Sequence, residues 1–467
     1  MSQSAAGFPA DLVSAVVKAY DVRGLVDEQL TPEFVTAVGR AFVEALGLRD
    51  SGAVVVGHDM RESSPGFARA FADGVASHGV DVTLIGLCST DGLYFASGSL
   101  DLPGAMFTAS HNPAAYNGIK MCLAGAAPVG QDTGLSDIAE LLVEGIPEYD
   151  GPVGRIGERE MLDEYADYLV GLVPPLQRPL RVAVDAGNGM AGLTAPVVLG
   201  RLPVTVEPLY FELDGSFPNH EANPIDPANL VDLQRVVRDS GADLGLAFDG
   251  DADRCFLVDE RGELVNPSTL TALIATQELA RVPGAPVIHN LITSRAVPEI
   301  IAEHGGVPIV TRVGHSFIKA TMAQTGAVFG GEHSGHFYFR DFWRADSGML
   351  AALHVLSSLA GTPPETTLSQ MLEPYSRYVL SGEINTEVAD QAAAMSAVRE
   401  HFAGRDVTFS DLDGLSVDGG TWWVNVRPSN TEPLLRLNVE APDSAQMEQL
   451  RDEVLAVYPD GDVGRGQ

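Results

Sequence analysis

The chain has 467 residues, 45% of them hydrophobic, and its 63 acidic against 29 basic side chains leave a formal net charge of −34. That length exceeds a single compact core and implies three or four domains, while the charge excludes the basic footprint that nucleic acid or an anionic membrane surface would need. No apolar run reaches the roughly 18 residues of a membrane span and the N-terminus lacks a basic region followed by an apolar core. Cys88, Cys122 and Cys255 have no metal-ligand spacing, so a cytoplasmic protein with reduced thiols is expected.

In chain order, Tyr20-Asp21-Val22-Arg23-Gly24 precedes a helix expected from Thr31-Pro32 to about Leu46, with Thr as N-cap and Pro at the first helical position. A strand over 53–57, the loop His58-Asp59-Met60-Arg61-Glu62-Ser63-Ser64, a helix over 65–78 and a strand over 81–86 form an α/β unit with loops at the carboxyl ends of its strands. An apolar run ending at Phe107 then enters Thr108-Ala109-Ser110-His111-Asn112-Pro113, where Asn112-Pro113 disfavours helix and starts a turn that holds Ser110 forward beside His111. Only Lys18, Lys120 and Lys319 are lysines among the basic residues, and all three stand beside candidate site segments. A desolvated lysine can release its proton where an arginine keeps it, which makes Lys120 a candidate for proton transfer.

A boundary is expected near Pro147 to Pro152, and beyond it a strand over 180–185 ends in the glycine-rich turn 186–192, which lacks the spacing of a dinucleotide fingerprint. The apolar strand 244–248 runs into Asp249-Gly250-Asp251-Ala252-Asp253-Arg254 and is followed by a second apolar strand, 255–258. Three carboxylates at alternate positions past a strand end can converge on one hard cation, and oxygen-only ligands suit magnesium. A calcium loop of the EF-hand kind is ruled out because its sixth place requires Gly and holds Arg254. A third unit has strands over 286–290, 308–312 and 327–330, with Val313-Gly314-His315-Ser316 after the second and Gly331-Glu332-His333-Ser334-Gly335-His336 after the third. Three units of similar build point to a diverged internal repeat. After Pro363-Pro364, alternating strands over 422–427 and 434–440 flank Arg427-Pro428-Ser429-Asn430-Thr431-Glu432-Pro433, and a helix over 444–458 closes an α+β region. The expected domains are 1–153, 154–258, 259–368 and 369–467.

A serine nucleophile, a magnesium site and an arginine together point to phosphoryl transfer, in which metal and cationic side chains stabilise the moving charge. The loops around Ser110, Asp249 to Arg254, Glu332 to His336 and Arg427 to Pro433 resemble, in order and interval, the four signature loops of the α-D-phosphohexomutases. The resemblance covers essentially the whole chain and implies three similar α/β domains with mixed sheets plus a smaller C-terminal α+β domain around a central cleft. It departs at Ser89-Thr90-Asp91, where the family usually has Thr-Pro.

The same resemblance implies a catalytic set of Ser110, His111, Lys120, Arg23, Arg254 and His315. Ser110 would be carried as phosphoserine, with Mg2+ held by its phosphate and by Asp249, Asp251 and Asp253. Glu332 and Ser334 would contact vicinal sugar hydroxyls, and Arg427, Ser429, Asn430 and Thr431 the distal phosphate, while His336 joins Lys120 and His315 as a proton-transfer candidate. The expected reaction moves phosphate between positions 1 and 6 of mannose and glucose phosphates through a bisphosphorylated hexose. The expected molecule is a monomer or homodimer. A phosphoglucosamine mutase is an alternative, disfavoured because those enzymes usually have Gln at the place of His333. A serine-dependent metal phosphatase is another, and it would have no use for a second phosphate clamp at Arg427.

Overall fold

A computed structural model describes residues 7–428 and 434–458, leaving out the side chains of His315 and Ser316. Three of its four sheets share one strand order. In the first, Ala53–His58 lies between the parallel strands Asp81–Leu87 and Gly104–Phe107, and Tyr116–Leu123 runs antiparallel beside Gly104–Phe107. In the second, Leu180–Asp185 lies between Val204–Leu209 and Leu244–Phe248, with Cys255–Asp259 antiparallel beside the latter. In the third, Pro286–Asn290 lies between Val307–Thr311 and Phe329–Gly331, with Phe337–Phe339 antiparallel beside the latter.

The third strand of each unit therefore turns back into an antiparallel fourth, and the three turns are the Ser110, Asp249 and Glu332 loops. Their closing registers are Phe107 opposite Ile119, Phe248 opposite Cys255 and Gly331 opposite Phe337. The internal repeat, invisible as sequence identity, is plain as topology. Two short strands lie past the expected domain limits, because both are held by the preceding sheet: Ile156–Glu158 pairs with Asp81–Leu87, and Leu264–Val265 with Cys255–Asp259. The fourth sheet is antiparallel throughout, with Leu434–Ala441 bonded to Trp423–Pro428, Ile384–Glu387 and Val379–Leu380.

Local chemistry accounts for the elements. Thr31 caps the helix Pro32–Leu46 by accepting from the Phe34 amide at 3.2 Å, and left-handed Gly47 ends it. Strands such as Leu244–Phe248 are buried at every residue, as expected of strands covered on both faces. One apolar core runs through all three α/β units, joining Phe95 of the first, Tyr165 of the second and Phe342 of the third.

The Ser89-Thr90-Asp91 stretch ties the units together by polar contacts as well. Ser89 caps the helix Thr90–Leu100, and Thr90 donates to the Asp251 carboxylate at 2.5 Å. Asp91 accepts from Ser89, from Tyr165 at 2.8 Å and from Ser347 at 2.6 Å, which are residues of three different units. Burial pushes its carboxyl up to about 6. A carboxyl raised in the folded state favours folding below its unfolded value of about 4 and loses that contribution as pH rises through about 6. Between pH 4 and 7, then, the urea midpoint of the wild type should fall relative to that of Asp91→Asn, and parallel curves would show that Asp91 carries no such linkage.

Candidate active site

Ser110 sits at the tip of the first of the three loops with a left-handed backbone, φ 49°, and is 5% exposed. That conformation is unfavourable for a residue with a Cβ, by roughly 1–3 kcal/mol, so the surroundings must hold it. Arg61 does so. Its buried guanidinium donates to the carbonyls of Ser110 at 2.9 Å, Asn112 at 2.7 Å, Pro113 at 2.9 Å and Tyr116 at 3.0 Å. Asp59, 3.3 Å away, balances its charge and is itself held by Ser64. From the other side Gly250 closes in: a Cβ there would lie 2.4 Å from the Ser110 carbonyl oxygen.

The Ser110 hydroxyl donates to Asp249 at 2.7 Å. Arg254 donates from Nε to the same carboxylate oxygen at 2.8 Å, and from its other end to His111 Nδ1 at 2.6 Å and to Ser110 Oγ at 3.4 Å. Because a guanidinium only donates, His111 Nδ1 is an acceptor. Burial, with Arg254 and Arg23 nearby, pushes that imidazole down to about 2. His111 therefore stands beside the serine as a neutral ring.

Oxygens of Asp249, Asp251 and Asp253 lie within 4.8 Å of one another. Asp251 Oδ1 and Asp253 Oδ1 are buried without a hydrogen-bond partner among the described residues. Such an all-oxygen, unsatisfied donor set fits a hard divalent cation. Lys120 Nζ bridges the opposite faces of the same pair, 2.7 Å from Asp251 and 2.6 Å from Asp253. Burial alone would push this ammonium towards neutrality, the behaviour expected from the sequence, but the two aspartates outweigh it and hold Lys120 protonated. Burial and the neighbouring Asp251 in turn push Asp253 up.

Arg23 stands at the rim of the serine loop, donating to Asn112 Oδ1 and to Asp21, each at 2.6 Å. In the third unit Glu332 is buried and already engaged, accepting from Asn290 at 3.2 Å, the Gly314 amide at 3.1 Å and Tyr338 at 2.7 Å. Its two oxygens retain limited capacity for a further donor, and half-buried Ser334 follows in the same turn. His336 bridges to Arg254 as an antiparallel strand pair and lies 3.0 Å from Asp346. Burial opposes its charge, but Asp253 and Asp346 prevail and push it up. Asp346 also pairs with buried Lys319 at 2.7 Å, whose ammonium lies 4.1 Å from the Tyr94 ring centre. Lys18, by contrast, is exposed.

His333 is half-buried. Its Nδ1 is buried, and burial together with Arg427 of the fourth unit holds the ring below its ordinary value. Arg427 pairs with Glu383 at 2.5 Å. Ser429, Asn430 and Thr431 lie outside the described residues, as does the side chain of His315, whose backbone opens the helix His315–Thr325. Sequence reasoning gave no role to Arg61, Thr90 or Asp346; the signal for Arg61 was its place in a polar loop straight after a strand.

Three α/β units that present equivalent loops to one another, with a fourth, antiparallel unit carrying a further arginine, define a four-domain enzyme of phosphosugars. Family models match the chain in four consecutive pieces: the alpha/beta/alpha domains I, II and III of phosphoglucomutase/phosphomannomutase over residues 14–145, 163–262 and 266–378, and the C-terminal domain over 383–457. The chain belongs to the phosphoglucomutase/phosphomannomutase family. It is 38% identical over 451 residues to a phosphomannomutase of Escherichia coli, covering 94% of this chain and 98% of that one. It is 36% identical over 462 residues to a phosphomannomutase/phosphoglucomutase of Pseudomonas putida, covering 97% and 98%. Among solved structures, a phosphoglucomutase/phosphomannomutase family protein of Burkholderia thailandensis superimposes with a TM-score of 0.87 at 33% identity, covering 96% and 99%.

The Arg61 geometry generates a test. Lysine keeps the charge but cannot present a planar fork to four carbonyls, so Arg61→Lys should fold, keep its affinity for hexose phosphate within about twofold, and lose at least about tenfold in turnover through misplacement of Ser110. Wild-type turnover in this variant would show the clamp to be dispensable.

Proposed function

We propose that this protein is a cytoplasmic phosphohexomutase that interconverts the 1- and 6-phosphates of mannose and of glucose. Supporting this above all is Ser110 Oγ, 2.7 Å from Asp249 and 3.4 Å from Arg254 at the edge of the aspartate triad. In the proposed cycle phosphoserine 110 transfers its phosphoryl group to the free hydroxyl of a hexose phosphate. The Oγ–P bond breaks, a P–O bond to the sugar forms, and the proton lost by the sugar hydroxyl is matched by one taken up at Ser110 Oγ. The bisphosphorylated hexose turns over in the cleft and returns its other phosphoryl group to Ser110, releasing the isomer.

The chain's residues have separate tasks in this cycle. Arg254 supplies charge to the phosphoryl oxygens while Asp249 shares the serine proton. Arg23 extends the cationic rim, and neutral His111 orients Arg254. Lys120, and His336 with Asp346 at Nδ1, are the proton-transfer candidates at the reacting hydroxyl; His315 is a further candidate. Glu332 and Ser334 contact the 3- and 4-hydroxyls, which mannose and glucose share, so discrimination at carbon 2 should be modest, about 1–3 kcal/mol. Arg427, with Ser429, Asn430 and Thr431, holds the distal phosphate.

Asp249, Asp251, Asp253 and the phosphoserine would hold Mg2+, which when bound neutralises charge developing on the transferred group. Since protonation of raised Asp253 competes with the metal, apparent Mg2+ affinity should fall as pH drops through the neutral range. An affinity independent of pH between 6 and 8 would show that Asp253 stays ionised across that range.

Ser110→Ala should fold normally and lose turnover by several orders of magnitude with both sugars, as measured by a coupled isomerisation assay beside a free-phosphate assay. Isomerase activity near wild type would refute the carrier role, and stoichiometric phosphate release without isomer formation by the wild type would identify a phosphatase.

A further inference from the structure

In the first and third units the second strand passes within a few residues into a helix, Asp81–Leu87 into Thr90–Leu100 and Val307–Thr311 into His315–Thr325. The second unit differs. Between Val204–Leu209 and the turn Pro227–Leu230 runs the loop 210–226, without helix or strand. Loops of more than about 12–15 residues without structure of their own are uncommon in compact domains and are often functional.

This loop lies over the Arg61 clamp. Gly215 approaches so closely that a Cβ would lie 2.7 Å from the Arg61 Cα, and the Phe217 ring covers the Arg61 guanidinium with its centre 5.1 Å away. Phe217 itself has a left-handed backbone, φ 53°. The loop is fastened at two points beyond Phe217. Asn219 donates to Asn188 at 2.8 Å, and Asn188 donates to the Glu212 carbonyl at 2.8 Å. His220 is pinned at both nitrogens, Nδ1 at 2.8 Å from the Glu221 carbonyl and Nε2 at 3.1 and 3.3 Å from the buried carboxylate of Asp185. Both partners are acceptors, so only the doubly protonated ring makes both bonds.

We propose that loop 210–226 is a strap that holds Arg61 on the serine loop, and that His220, fastened to Asp185, is its latch and a positioning residue for Ser110. The inference rests on Ser110 as the phosphoryl carrier. The groups facing His220 are Asp185 at the end of Leu180–Asp185, Asp232 on the helix Val231–Ser240, the Glu221 backbone, and Tyr210, whose ring packs edge-on at 5.3 Å and donates to Asp232. Burial disfavours the imidazolium, but Asp185 outweighs it and raises the ring above its ordinary value. A raised value in the folded state means that the latch is fully fastened below about pH 6.5 and is lost as pH rises through the raised value.

The test compares kcat and KM of the wild type, His220→Ala, Phe217→Ala and the double variant from pH 6 to 9, with intact-mass detection of phosphate on Ser110. At pH 6, His220→Ala should lower kcat about tenfold through misalignment of the serine with KM unchanged within twofold. The ratio of wild-type to variant kcat should shrink towards one at pH 9. Phe217→Ala should lower kcat similarly, and the double variant should be no worse than either single one, because both act through Arg61. A ratio constant with pH, KM rising as kcat falls, or multiplicative losses in the double variant would overturn the latch. If His220→Ala does not fold, His220→Gln, which keeps one donor, replaces it in the same comparison. Phosphate on wild-type Ser110 with an unaffected His220→Ala would reject the latch alone, whereas a wild type that never phosphorylates Ser110 would reject both the carrier and the latch built on it.

Discussion

A serine in a left-handed turn, gripped through its loop carbonyls by one buried arginine, is the constraint on which the rest of this structure depends. The hydroxyl can meet Asp249 at 2.7 Å only while the loop keeps that shape. Arg61 satisfies four loop carbonyls at once, so that the backbone strain at Ser110 is offset by charge-assisted hydrogen bonds in a water-poor setting. Asp59 makes the buried guanidinium tolerable, and Gly250 lets the aspartate loop approach closely enough for the hydroxyl to reach it.

The three-fold use of one topology explains why so many chemical groups converge. In each α/β unit the turn between the third, parallel strand and the fourth, antiparallel one carries the signature residues. Packing the three units around one apolar core brings those turns face to face. The contacts are then made between units: Ser110 with Asp249, Thr90 with Asp251, Lys120 with Asp251 and Asp253, and Arg254 with His336. Removing one unit would strand charged groups of the other two.

Much of this was legible in the sequence because it is local. The cap at Thr31-Pro32, the apolar strand before Asp249 and the turn at Asn112-Pro113 are set by neighbours a few residues apart. What escaped was set by partners far along the chain. Arg61 finds Ser110 49 positions away, and its partners there are backbone carbonyls, which leave no trace in side-chain identity. In the sequence Lys120 reads as a group able to lose its proton, yet two aspartates more than 130 positions away keep it charged. The unusual Ser89-Thr90-Asp91 turn looked like a local departure and proved to join three units through Asp91. His333 gave no hint from its neighbours that it lies in the field of Glu383 and Arg427 of the last unit.

Within a net charge of −34, several cations are gathered around the three loops. Arg61, Arg254, Lys120 and Lys319 are each matched by buried or half-buried carboxylates. Such pairing fixes their geometry before substrate arrives. The most direct measurement of the central claim is a single-turnover experiment in which unphosphorylated protein meets a hexose bisphosphate with labelled phosphoryl groups, followed by peptide mapping. Label should appear on Ser110 together with both monophosphates; label elsewhere, or isomer formation with no labelled peptide, would contradict the carrier role of Ser110.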